Sequence, residues 1–310
     1  MSTGSDTMRF GLIGTGYWGR STHATGLLAH PDVDLVGVWG RSPATTSTAA
    51  STLGVPGYQR LDDLLADVDA VALAVPPDVQ AELAVLAAQR GCHLLLDKPI
   101  ALDEVAAERL LRAVTSAGVA ATVFFTLLYE PAVAAWVQKT AAEAWFAARI
   151  RMFSSIFAPG SPYAASGWRR ERGALWDVGP HALGVAVRVL GPAESVVAQH
   201  GAGQSTDVIV RHAGGVTSSL SLSLTAPPAA CGSDWTFYGD PGAVTVPVPA
   251  STSPQAYANC VTDLLRSVRT GHEPRCGVPF GLEVVRALSA AEASAATGTS
   301  PSPTARNGRP

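Results

Sequence analysis

Charge, clustered cysteines and long apolar runs are all scarce in this chain, and each scarcity removes a class of function. Charged residues make up only 15% of the 310, and the formal net charge is -3. There is no basic excess to neutralise phosphates, so nucleic acid is not an expected partner. The four cysteines, Cys92, Cys231, Cys260 and Cys276, are widely spaced and form no C-x-x-C pair. That pattern fits ordinary buried thiols in a reduced compartment better than a disulfide framework or a zinc site. No run of about 18 uninterrupted apolar residues occurs. The opening "MSTGSDTM" has no charged segment leading into an apolar one. These absences predict a cytoplasmic chain with no membrane partner.

What remains is apolar material: 47% of the residues are hydrophobic. That is ample for buried sheets and helices, and the length predicts two domains, one for a cofactor and one for a substrate. Between residues 8 and 121, "RFGLIG", "DLVGVWG", "DAVALAVP", "CHLLLDKP" and "VAATVFF" read as strands separated by helical stretches. Their near-continuous apolar character suits a parallel sheet covered on both faces, the βαβ rhythm. From 122 to 298 the rhythm changes. "WFAARIRMFSSIF", "ESVVAQH", "TDVIVRH" and "TSSLSLSLTA" follow one another as strands of a mixed or antiparallel sheet. "LWDVGPHALGVAVRVLG" holds a helix start with Pro180 in its first turn, and two further helices end the domain, each stopped by glycine. Residues 1–7 and 299–310 read as flexible tails.

The stretch "RFGLIGTGYWGRSTHATGLLAH" carries glycines at 14, 16 and 19 between an apolar strand and a helical run. In that context the G-x-G-x-x-G spacing predicts a dinucleotide site. Gly14 permits the tight turn, Gly16 lets the backbone approach a pyrophosphate at the helix N-terminus, and Gly19 permits close helix packing. Tyr17 and Trp18 are expected to pack around the cofactor, with Pro76, Asp97 and Lys98 beside it. About 20 residues on, an NAD site usually carries a carboxylate for the ribose 2′-hydroxyl. Gly40 stands there instead, followed by Arg41 and Ser42, which can bind a 2′-phosphate. NADP(H) is favoured, with NAD(H) open if Arg41 stacks on adenine or faces solvent.

Two more stretches suggest chemistry. "LLLDKPIAL" ends a sheet strand with Lys98, where a lysine can polarise a substrate oxygen or simply be a solvated charge. Pro99 pushes Lys98 toward an extended backbone. "WDVGPHAL" supplies Asp177 and His181; the first helical turn favours a neutral imidazole, while Asp177 would orient and charge it. An Asp cap beside a satisfied histidine, or a two-ligand fragment of a metal site, are the plainer readings. Without a third ligand no metal is expected.

Together these motifs, with "AVPPDVQAE", "GWRRERGALWDVGPHALGVAVRVLG" and "GLEVVRALSAAEASAATG", make the chain resemble the glucose-fructose oxidoreductase, inositol dehydrogenase and rhizopine-catabolism family, Gfo/Idh/MocA, from Arg9 to Gly298. The resemblance implies a Rossmann domain followed by an α/β domain with an open, mostly antiparallel sheet that commonly forms a homodimer or homotetramer interface. It implies a nicotinamide oxidoreductase of sugars, sugar nucleotides or cyclitols, with Lys98, Asp177 and His181 matching the catalytic lysine, aspartate and histidine. Tyr163, Trp168 and Arg169 are substrate-binding candidates beside Lys98 and His181, and Tyr257 is a weaker one; a core tryptophan with a surface arginine is the plainer reading of the Trp-Arg pair. The chain departs from the pattern at Asp97, usually glutamate, at Gln80, often histidine, and at Leu128, where an arginine is common and whose absence argues against a heavily anionic substrate. Its glycine run is thinned to "RERGAL", and its second domain is short. The same resemblance admits an NAD-dependent glycosidase using transient redox; a non-catalytic dinucleotide sensor is the third reading.

Overall fold

Two sheets organise the chain, and the burial pattern of each follows from its strand sequences. The computed structural model describes residues 7–297; the tails expected at 1–7 and 299–310 lie outside these, Thr7 apart. The first sheet contains β1 (Met8–Ile13), β2 (Val33–Trp39), β3 (Ala70–Leu73), β4 (His93–Asp97) and β5 (Ala121–Phe124). Its order is β2-β1-β3-β4-β5, with every pair parallel. β3 and β5 are buried at every position, as strands covered by helices on both faces must be. β5 continues past residue 121 to Phe124. The strand order reverses between β1 and β3, and in such sheets the crevice beyond the strand carboxyl ends at the reversal holds the ligand.

The second sheet contains β6 (Trp145–Phe153), β7 (Ala193–His200), β8 (Thr206–His212), β9 (Thr217–Ser223), β10 (Gly232–Gly239) and β11 (Gly242–Thr245). They run in the order β11-β10-β6-β9-β8-β7. Only β6 and β9 pair in parallel; the other pairs are antiparallel. On β8 the side chains alternate strictly, with Thr206, Val208, Val210 and His212 inward and Asp207, Ile209 and Arg211 outward. One face is therefore packed and the other free. The apolar helix Gly179–Leu190 lies against the packed face, touching β6 and β9.

The last two helices tie the domains together. Ser253–Thr270 returns to the first sheet and packs on β4, β5 and the helix after β1, while Val278–Thr297 lies against β7 and the helix Glu104–Ala117. Three expectations need correction. β10 and β11 and the helix Gly167–Asp177 were not anticipated, because turn residues and charges mask them. Cys231 is exposed, unlike the other three cysteines, and all four are free thiols. Tyr257 is fully buried in the aromatic core, away from any substrate position.

Candidate active site

The glycine loop is built as its spacing predicts. Gly14 has φ +127°, and a Cβ there would lie 2.3 Å from the Ala74 carbonyl oxygen, so the turn after β1 accepts only glycine. At Gly16 an added Cβ would meet nothing within 4 Å. That open approach, at the start of a helix whose first turn leaves N–H groups unpaired, fits a pyrophosphate. Gly14 is not itself a cleft wall; Gly16, Tyr17, Trp18 and Gly19 are, facing Ala74 to Asp78 from the β3 turn. Trp18 stacks toward Phe124, with ring centroids 6.5 Å apart. Arg41 and Ser42 lie outside this cleft, at the end of β2. Arg41 is exposed, and the Ser42 hydroxyl accepts from the Thr45 N–H to cap a helix. Gly40 is packed, since a Cβ there would come within 2.7 Å of Thr15 Cγ2.

The cleft measures about 610 Å³, within the range of small-molecule sites. Lys98 enters it from the end of β4, while Asp177 and His181 enter from the junction of the helices Gly167–Asp177 and Gly179–Leu190. Lys98 Nζ donates to the Asp177 carbonyl at 2.6 Å and to its Oδ1 at 3.4 Å. The other carboxylate oxygen of Asp177 pairs with Arg169 Nε at 3.1 Å. This corrects the expectation that Asp177 holds the His181 imidazole: its carboxylate is committed to the two cations. His181 Nδ1 is buried without a hydrogen-bond partner among the described residues.

Electrostatics follow from that geometry. Burial pushes the His181 pKa down to about 3, and nearby Lys98 pushes the same way against the weaker pull of Asp177 and Asp97. The ring is therefore neutral at ordinary pH. Burial would raise the Asp177 carboxyl, but Lys98, Arg169 and His181 together hold it below its ordinary value. Arg169 is also sandwiched between the Tyr163 and Trp168 rings, 4.5 Å from each centroid. Arg169 lines the cleft together with Tyr163 and Trp168, with its Nε engaged by Asp177. Tyr163 meets Tyr17 edge-on at 5.9 Å, joining the second domain to the glycine loop. Leu128 is buried in the core and does not line the cleft; Thr126 does, so Leu128 carries no information about substrate charge.

Residues 8–125 match the oxidoreductase family with an NAD-binding Rossmann fold, and residues 139–245 match the GFO/IDH/MocA C-terminal domain, together well over half of the chain. The chain belongs to the Gfo/Idh/MocA family. The dTDP-3,4-didehydro-2,6-dideoxy-alpha-D-glucose 3-reductase of Streptomyces antibioticus is 31% identical over 61% of this chain and 58% of its own length. The D-xylose 1-dehydrogenase (NADP(+)) 2 of Haloferax volcanii is 26% identical over 94% of this chain and 98% of its own. The fold matches that of the WlbA dehydrogenase of Bordetella pertussis, solved with NADH and UDP-GlcNAcA, at a TM-score of 0.81 and 24% identity, covering 94% of this chain and 97% of that one. Matching segments span 58% of the Streptomyces reductase and 32% of a UDP-N-acetylglucosamine 3-dehydrogenase of Acidithiobacillus ferrooxidans, less than two thirds of either.

Two residues beside this Gfo/Idh/MocA site hold Asp97 through contacts that no motif spells out. The buried Gln80 amide donates to the Asp97 and Pro99 carbonyls at 2.8 and 3.0 Å, and its oxygen accepts the Asp97 N–H at 2.8 Å. It clamps the backbone on both sides of Lys98. His23, fully buried, faces the Asp97 carboxylate at 3.5 Å. Only the departure of Gln80 from the family pattern hinted at the first; nothing in the sequence marked the second.

Proposed function

We propose that this protein is an NADP(H)-dependent oxidoreductase that moves a hydride between nicotinamide and a carbinol or carbonyl carbon of a sugar, sugar nucleotide or cyclitol. The observation that carries the reading is the meeting of Lys98, Asp177 and His181 in one cleft whose opposite wall is the glycine loop. Gly16, Tyr17, Trp18, Gly19 and Pro76 would hold the cofactor there. When bound, nicotinamide supplies a hydride acceptor or donor. The Lys98 amine, steadied by Asp177, polarises the substrate oxygen, and Arg169 keeps Asp177 ionised. In the oxidising direction the neutral His181 takes the hydroxyl proton. Trp168 and Tyr163 offer apolar faces to a sugar ring.

Arg41 and Ser42 at the end of β2 support the NADP(H) preference, because no carboxylate occupies the packed Gly40 position to repel a 2′-phosphate. The names of the relatives speak of both cofactors. The outward face of the second sheet, where Val197 and Ile209 sit opposite each other at 62% and 57% exposure, is the surface proposed to pair with a second copy.

The test is a panel of aldoses, inositols, keto sugars and sugar nucleotides, run with NADP+ or NADPH and followed at the nicotinamide absorbance. The expected result is turnover of at least one member by the wild type, falling about a hundredfold or more in Lys98→Met. Release of free sugar from glycosides added to the panel, with no net change in nicotinamide absorbance, would instead favour the glycosidase, and neither signal the sensor.

A further inference from the structure

Asp97 is gripped from several sides, and one of its neighbours has no other polar contact of good geometry among the described residues. Gln80 fixes the main chain at residues 97 and 99, leaving rotation of the Asp97 carboxylate as the remaining freedom beside Lys98. One carboxylate oxygen accepts the Lys98 backbone N–H at 2.8 Å, and the other faces His23 Nε2 at 3.5 Å. His23 is fully buried, and neither ring nitrogen has a hydrogen bond of good geometry. Its ring packs on Tyr257 at 4.3 Å between centroids, with Phe124 and Trp18 at its edges.

An imidazole costs desolvation in such an aromatic nest, where phenylalanine would pack without cost. The polar group it faces is the carboxylate. His23 lies in the π-helical segment Gly19–Ala24, on the same helix that opens at Gly16 and Gly19. Asp97 lies at the end of β4, immediately before Lys98. The His23–Asp97 contact therefore joins the glycine-loop helix to the lysine strand behind the cleft.

We propose that His23 is a positioning residue: by fixing the Asp97 carboxylate it holds the Lys98 backbone in register with the glycine-loop helix, so that the loop and the lysine amine form one rigid unit. The catalytic meaning of that unit rests on the role given to Lys98 above. The contact also compensates for the short reach of Asp97, since the histidine comes to the carboxylate.

Lys98 and Lys139 are the only lysines in the sequence, and Lys139 is exposed on the helix Pro131–Thr140. Reductive methylation of the full chain, with formaldehyde and cyanoborohydride and no cofactor or substrate, gives a Lys98:Lys139 rate ratio by peptide mass spectrometry. In His23→Phe, which keeps the aromatic volume and removes both nitrogens, the ratio is expected to rise about threefold or more as the Lys98 amine comes free of Asp177 more often. In His23→Gln, whose amide can donate to Asp97, it is expected to return close to the wild-type value. His23→Leu serves if the Phe variant does not fold. An unchanged ratio in the Phe or Leu variant overturns the proposal, as does a Gln variant that behaves like Phe, because packing alone would then be the role of His23. No turnover is needed, so failure here is distinguishable from failure of the substrate panel.

Discussion

Replacing His181 with asparagine should make the protein less sensitive to mild acid. His181 has a folded-state pKa of about 3 against an ordinary 6.5, lowered chiefly by burial and then by Lys98. Because the folded value is depressed, the unfolded chain binds more protons between these limits, and stability falls as pH drops through that window. At pH 8 both states are neutral and the cost is nil. At pH 5 the unfolded imidazole is largely charged while the folded one is not, which corresponds to about 2 kcal/mol lost from the native state. Asp97 and Asp177 act in a separate range. Their depressed values contribute stability that is present above the ordinary carboxylate value of 3.8 and is lost only as pH falls below it. His30, His93 and His212, also lowered by burial, contribute alike to wild type and variant and cancel in the comparison. The assay is urea unfolding of both proteins at pH 8 and pH 5. The wild type should lose about 2 kcal/mol more than His181→Asn between the two conditions. Equal losses would show that His181 titrates in the fold as it does in the unfolded chain, and the burial-lowered pKa would fall with it.

Gly14→Ala should destabilise the fold by on the order of 2 to 3 kcal/mol, since its Cβ would lie 2.3 Å from the Ala74 carbonyl at a φ of +127°; an unchanged thermal midpoint would contradict the turn geometry. Arg41→Ala should weaken NADPH binding about tenfold, or about 1.4 kcal/mol, and leave NADH binding as it was. Equal loss for the two cofactors, measured by nicotinamide fluorescence, would remove Arg41 as the 2′-phosphate contact.

The parallel strands were legible because burial on both faces leaves uninterrupted apolar runs such as "AVAL" in β3. The glycine loop was legible because its constraints are local, Gly14 against the neighbouring turn and Gly16 open to the cleft. The hairpin of β10 and β11 was hidden although Trp235 and Phe237 alternate inward, because glycines stand at both ends of β10 and at the start of β11. The helix Gly167–Asp177 was hidden by four charges in "RRER" and by the break at Gly173, where φ is +66°. At the site, residue types were readable and pairings were not. Asp177 lies near His181 in sequence, yet its carboxylate turns to Lys98 from the end of β4 and to Arg169 from across the Gly173 break in its own helix. Gln80 and His23 act on Asp97 across the sheet, and no spacing rule along the chain announces a contact made that way.

The central claim, a dinucleotide seated on the glycine loop beside Lys98, is tested most directly by titrating NADPH and NADH into wild type and Gly16→Val while following nicotinamide fluorescence. A side chain at Gly16 enters open cleft, so the variant should fold with an unchanged thermal midpoint. The account predicts that wild type binds and that Gly16→Val loses at least about tenfold in affinity. A variant that binds as well as wild type, or a wild type that binds neither dinucleotide, would contradict it.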